Sequence, residues 1–205
     1  MKKKRYFNDA SRKQQILDIA IEEIVRKGYG NTSVDAIAAR AGISKGVIYY
    51  HFNGKRELIE RIYSALLEEL FRYRKTRVEK EVSPRAKLRT YIQTYFEFMR
   101  KHKNTFMAMM EAGIDLASDH QGNPWAKGIN DRVFKFIAEI LAEGQKSGEF
   151  RPFLPMSLAP VIQGALDGIA IHWFSDPEGL NLDECRKELQ GMIEIYTRQN
   201  PGGTD

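Results

Sequence analysis

Residues 33–52, Ser-Val-Asp-Ala-Ile-Ala-Ala-Arg-Ala-Gly-Ile-Ser-Lys-Gly-Val-Ile-Tyr-Tyr-His-Phe, constrain the fold more than any other stretch of this chain. Ser33 can cap a short helix whose apolar residues Val34, Ile37, Ala38 and Ala41 recur at i, i+3, i+4 and i+7, and so share one face. Gly42 can take the left-handed conformation that reverses a chain within a residue or two. Ser44 then caps a second short helix, Lys45 to about Phe52, which Asn53-Gly54 ends. Helices this short need neighbours to cover their apolar faces. The flanking sequence offers them: a preceding helix starts near Asp9 or Ser11, turns Ile16, Ile19, Ala20 and Ile24 inward and stops at Gly28-Tyr29-Gly30.

The same helical periodicity runs through the rest of the chain, and no stretch alternates with the period of a strand. A long helix begins at about Lys55 with Leu58, Ile62, Leu66 and Leu70 inward. Ser83-Pro84 opens the next, proline being comfortable in a first turn, and it runs to about His102. A methionine-rich helix follows over about Thr105 to Ala117, then a loop by composition at 118–124. Another helix carries Val133, Phe134, Ile137 and Leu141 inward toward Gly148. Pro152 and Pro155 bracket a loop before an apolar helix from Ser157 to Phe174, and a last helix spans Leu182 to about Arg198. The expected fold is all-α, with about nine helices in two parts, residues 8–55 and 56–200.

Charge separates these two parts. Residues 1–55 hold 11 lysines and arginines against 5 acids, whereas the whole chain carries a formal +5, so the later residues are close to neutral. A basic module on a neutral body suits phosphate backbones, although a solvated tail at Lys2–Arg5 is the plainer reading of those four residues alone. The one cysteine, Cys185, excludes an internal disulfide framework. No N-terminal segment has the apolar core of a signal peptide, and Gln163, Asp167 and His172 interrupt the one long apolar stretch, so a cytoplasmic protein without a membrane span is expected. His51, His102, His120 and His172 fall in separate segments, and no phosphate-cradling glycine loop or nucleophile elbow is present. No enzyme, metal site or cofactor is therefore expected.

The 33–52 segment has the composition of a helix-turn-helix whose second helix enters the DNA major groove. Together with Gly28-Tyr29 before it and Lys55-Arg56-Glu57-Leu58 after it, it resembles the N-terminal domain of the tetracycline-repressor (TetR) family of bacterial transcription regulators over residues 11–62, about a quarter of the chain. The resemblance implies that Lys45, Gly46, Val47 and Tyr49 face the groove, and that Tyr50, His51 and Lys55 serve the DNA backbone. The Ser33 and Ser44 hydroxyls lie at helix starts, where free N–H groups favour an anion. Lysine can reach guanine, and valine and tyrosine can touch thymine methyls. Ile43, Ile48 and Phe52 belong to the core, and packing is a competing role for Tyr50 and His51.

The remaining helices point to partners. A helix apolar nearly all round, as 157–174 is, must be covered on every side, most simply by a second copy joined through helices near 157–174 and 182–198. Gly164, Ala165 and Gly168 leave room for close approach. Such a homodimer places two reading heads on a palindromic operator in double-stranded DNA. Tyr91, Tyr95, Met99, Met107, Met110, Glu111, Phe134 and His172, with Asp115, Gln163 and Asp167, could line a cavity for a small apolar or cationic effector. Aromatic and methionine stripes are ordinarily core, so the cavity itself is implied mainly by the family resemblance. That resemblance implies a repressor released by a small molecule; the alternative is the same fold controlled by a protein partner, or constitutive.

Overall fold

The computed structural model describes residues 9–117 and 124–199, with side chains for all of these except 110, 111, 113–117 and 124–130. The described residues form nine helices: α1 (Asp9–Lys27), α2 (Val34–Ala41), α3 (Lys45–His51), α4 (Lys55–Val78), α5 (Pro84–Lys101), α6 (Lys103–Ala117), α7 (Pro124–Lys146), α8 (Pro155–Ser175) and α9 (Leu182–Thr197). The one β feature among them is an isolated antiparallel bridge between Phe150 and Arg198. The helices divide into two compact units. The first contains α1 to α3, α4 as far as Leu66, and α6; the second contains α4 beyond Leu66, α5, α7, α8 and α9. The loop expected at 118–124 lies, up to residue 123, outside the described residues.

In the first unit, local signals set the helix ends. Gly28 ends α1 with φ 80°, and its N–H donates to the Ile24 carbonyl at 2.8 Å. The Ser33 hydroxyl accepts from the Ala36 N–H at 3.1 Å, capping α2. Gly42 has φ 65°; its N–H donates to Ala39 O while that of Ile43 donates to Ala38 O, the paired closure of a Schellman turn. α3 follows Ser44, whose carbonyl accepts from the Val47 N–H but whose hydroxyl makes no cap bond. Ile16, Ala20, Ile24, Ile37, Ile48, Phe52, Leu58 and Ile62 meet in one core. The small side chains of Ala108 and Ala112 bring α6 into the same cluster.

One acid anchors this unit. Glu23 is buried on α1, and its carboxylate accepts from Arg26 (2.9 Å) and from Arg40 of α2 (2.7 Å), with the Lys27 ammonium 3.3 Å away. The Arg26 bonds, then those to Arg40 and Lys27, outweigh the burial cost and hold the Glu23 carboxyl down at about 2. A carboxyl titrating lower when folded than when unfolded stabilises the fold above its ordinary value and loses that contribution as pH falls. Wild type is therefore expected to melt higher than Glu23→Gln above pH 4.5, with the gap closing toward about pH 2. Parallel thermal melts of the two proteins from pH 7 down to pH 2 measure it; a gap independent of pH would contradict this role.

The second unit is built on α5, whose Leu88, Tyr91, Ile92, Tyr95, Phe96 and Met99 are buried and which packs against α7 and α8, where Ile137, Leu141, Ala159, Ile162 and Leu166 are buried as well. α8 starts two residues earlier than its sequence suggests. Pro155 is not a loop residue but the first residue of the helix, where no N–H is needed and its fixed φ is already helical. Asn181 caps α9, its side-chain oxygen accepting from the N–H groups of Asp183 and Glu184 at 3.0 and 3.3 Å. No described helix is long and apolar enough to cross a membrane.

Candidate functional site

α2 and α3 present one face to the core and another to solvent. Ile48 is fully buried and Phe52 nearly so, Val47 is half-buried, and Ser33, Ser44, Lys45, Gly46, Tyr49 and Tyr50 are exposed. Lys45 Nζ lies 2.9 Å from Asp35 Oδ2 and 5.8 Å from the Tyr49 ring centroid. The hydrogen bond to Asp35 raises the Lys45 ammonium above its ordinary value, so it remains a cation. This pair is exposed on both sides, so holding it together is worth little and an acceptor on a ligand can replace Asp35. A Cβ on Gly46 would meet only the Ser44 hydroxyl, at an ordinary 3.7 Å. Nothing within the chain requires glycine there, although glycine weakens a helix by about 1 kcal/mol relative to alanine.

Two residues grouped with the DNA backbone by sequence are engaged within the protein. The His51 side chain is 5% exposed; its ring lies edge-on to Tyr50 at 4.8 Å and to Phe52 at 6.2 Å, and Nδ1 is 3.4 Å from Asp9 Oδ1. Lys55 Nζ donates to the Tyr29 carbonyl at 2.7 Å and stands 4.0 Å from the Tyr29 ring centroid, tying the start of α4 to the turn after α1. Glu57 reaches back to accept from the Asn53 backbone and side-chain N–H groups, both at 2.8 Å. The turn between α3 and α4 is thereby fixed.

The second unit holds a polar cluster that sequence reasoning missed at its centre. Arg74 of α4 is only 2% exposed. Its Nη1 donates to the Tyr91 hydroxyl at 2.6 Å and lies 3.4 Å from Gln163 Oε1. The guanidinium carbon is 4.1 and 4.6 Å from the ring centroids of Tyr91 and Tyr95. The Tyr91 hydroxyl donates to Gln163 Oε1 at 2.6 Å, and Asp167 Oδ1 accepts from the Tyr95 hydroxyl and from Gln163 Nε2, both at 2.8 Å. Burial pushes the Tyr91 phenol up to about 12, so it stays a neutral donor and acceptor. The cation facing these aromatic rings is thus the protein's own. Arg74 was legible in one respect: it continues the i, i+4 stripe of Leu58, Ile62, Leu66 and Leu70, where a charge is out of place.

Of the other residues put forward for a ligand, Met99 is buried one turn beyond Tyr95 on α5, and Phe134 is half-buried on α7. Met107, half-buried on α6, falls in the first unit. His172 is exposed on α8, off the face that carries Gln163. The side chains of Met110, Glu111 and Asp115 lie outside those described. Among the described residues, no group of three or more His, Cys, Asp or Glu side chains could hold a metal ion.

α8 and α9 also leave an uncovered apolar surface. Val161, Ile171, Met192 and Ile195 are half to three-quarters exposed. A groove of about 360 Å³ runs between the two helices, lined by Leu158, Val161, Ala165, Leu189, Met192 and Tyr196 among others. A Cβ on Gly164 or Gly168 would meet nothing within 4 Å.

A capped helix, a left-handed glycine turn and a second helix with one exposed polar face make the first unit a helix-turn-helix DNA-binding module. Residues 16–62 match the family of bacterial regulatory proteins of the tetR type, and residues 84–165 match a tetracyclin repressor-like C-terminal domain. The chain is 24% identical over 193 residues to the HTH-type transcriptional repressor KstR2 of Mycolicibacterium smegmatis, covering 94% of each. It is 25% identical over 173 residues to the fatty acid metabolism regulator protein of Bacillus subtilis, covering 82% of this chain and 86% of that one. The fold superposes on the fatty acid degradation regulator FadR of Bacillus halodurans with TM-score 0.78, at 20% identity over 91% of this chain and 97% of that chain. This protein belongs to the TetR family and is a DNA-binding transcriptional regulator.

Proposed function

We propose that the protein is a homodimeric repressor of a palindromic operator, released by a small, largely apolar effector, and that it works in the cytoplasm. Residues 8–55 read the DNA and residues 56–200 dimerise and bind the effector. Lys45, Gly46, Val47 and Tyr49 face the major groove, with Ser33, Ser44 and Tyr50 toward phosphates. His51 and Lys55 hold the reading helix in place from within the unit. The observation that carries this reading is the exposed face of α3, whose only glycine has no internal reason to be one. The uncovered apolar face of α8 and α9 supports pairing with a second copy across a two-fold axis. The effector acts by binding more tightly to a dimer state whose two α3 helices no longer match the operator; a few kcal/mol of coupling suffices to empty the site.

The test is selection of bound fragments from genomic DNA by the purified full-length protein at moderate salt. A two-fold symmetric motif with half-sites about one DNA turn apart, or a multiple of it, is the expected result. Recovery of fragments with no symmetric motif, or binding unaffected by scrambling one half-site, would sink it.

A further inference from the structure

We propose that Arg74 anchors the carboxylate of the effector, making the ligand a monocarboxylate on an apolar body; this rests on the effector reading above. The observation behind it is what Arg74 lacks. Its Nε and Nη2 atoms are sealed from solvent and have no hydrogen-bond partner. These are the two nitrogens whose N–H bonds run parallel along one edge of the guanidinium, the edge that takes both oxygens of a carboxylate at once. The third nitrogen, Nη1, is already held by Tyr91 and Gln163, so the plane and direction of the fork are set in advance.

No carboxylate is hydrogen-bonded to the fork. The polar partners that Arg74 has, a phenol and an amide oxygen, are both neutral. The Tyr91 and Tyr95 rings stabilise the charge through their faces, but they leave Nε and Nη2 without a hydrogen-bond acceptor. Asp167 is the one acid in the cluster, and its Oδ1 is committed to Tyr95 and Gln163. A buried charge whose own donors are unmet is costly, and one added negative charge on the fork removes that cost. A monocarboxylate adds one negative charge beside Asp167, whereas a dianionic phosphate would add two. Because the fork is sealed, a carboxylate enters only by parting the side chains over it, so binding and a local rearrangement are the same event.

The surroundings set the rest of the ligand. The Tyr91 ring meets Phe136 at 6.2 Å between centroids, and Phe136 meets Phe71 at 5.6 Å. This run of rings beside Arg74 suits an apolar body and not a second polar group. A cationic head is disfavoured, since Arg74 already occupies the faces of both tyrosines.

Matched probes test the proposal on the full-length protein at pH 7.5: octanoate against octanamide and octylamine, and phenylacetate against phenylacetamide, by calorimetry and thermal melts. At least one acid is expected to raise the melting temperature and to bind about 30-fold or more tightly than its amide. Arg74→Gln is expected to erase that preference and Arg74→Lys to restore part of it. The comparison of acid with amide on wild type decides the matter even where a variant fails to fold. Amides or the amine binding as well as the acids, or no probe binding at all, overturns the carboxylate assignment. Operator release measured alongside separates the two ideas. Release by an amide or amine keeps the effector reading and removes the anion; acids that bind selectively yet leave the operator occupied keep the anion site and remove the effector reading.

Discussion

A Val161→Glu, Met192→Glu double variant is expected to be a folded monomer whose operator affinity is lower than that of wild type by about 100-fold or more. Val161 is 64% and Met192 66% exposed, so either glutamate is solvated in the single chain and asks nothing of the core. Both line the groove between α8 and α9. Across a two-fold interface each substitution appears twice, placing four acids without partners in an apolar contact. An uncompensated buried charge costs several kcal/mol, so even one of the two positions opposes pairing strongly. The loss of DNA affinity follows from losing bivalency, because the second reading head then no longer binds at the high effective concentration set by the first. Sedimentation equilibrium gives the mass, circular dichroism the fold, and a gel shift the affinity. A variant that stays dimeric would remove the α8–α9 face as the interface.

Gly46→Leu is expected to abolish operator binding, by about 100-fold or more, while leaving the thermal melt within a few degrees of wild type. The side chain leaves the helix on its exposed face, where only the Ser44 hydroxyl is near, so the fold has no reason to object. On DNA the same face must lie against base edges and sugars, and four extra carbons hold the backbone of α3 away from them. Contacts made by Lys45 and Tyr49 are then lost together, each specific one being worth about 1–3 kcal/mol. Gly46→Ala separates packing from reading: it should melt slightly higher, by helix propensity, yet bind DNA less well. Unchanged DNA binding in the leucine variant would mean that α3 does not read the groove through this face.

How much of this was legible depends on how local the signal is. Ser33, Gly42 and the apolar spacing of α2 act within a few residues, and the turn they specify is the turn observed. Pro155 was misread because a proline that breaks a helix interior is equally at home at its first position, and Leu154 before it carries no capping side chain to mark the start. His51 and Lys55 look alike in sequence to residues that meet DNA. What turns Lys55 inward is a carbonyl 26 residues away, and the acid facing His51 lies on a different helix. Periodicity assigns Ala108 and Ala112 to a helix face but not to a neighbour, so the membership of α6 in the first unit was not readable. Arg74 shows the same limit more sharply. Its break in the α4 stripe was visible, but its partners sit 17 and 89 residues along the chain, and no spacing rule joins them.

The internal ion pairs of the first unit bear on how it should respond to ionic strength. Arg26, Lys27 and Arg40 gather around Glu23, and Arg40 also binds Glu22. Several of the cations that make this end of the chain formally basic are therefore already matched by acids a few ångströms away. The salt sensitivity of protein–DNA association counts the phosphates that are neutralised, not the lysines and arginines in the sequence. A module that keeps its own counter-ions releases fewer from the DNA, so its grip should weaken more gently with added salt than its composition would imply.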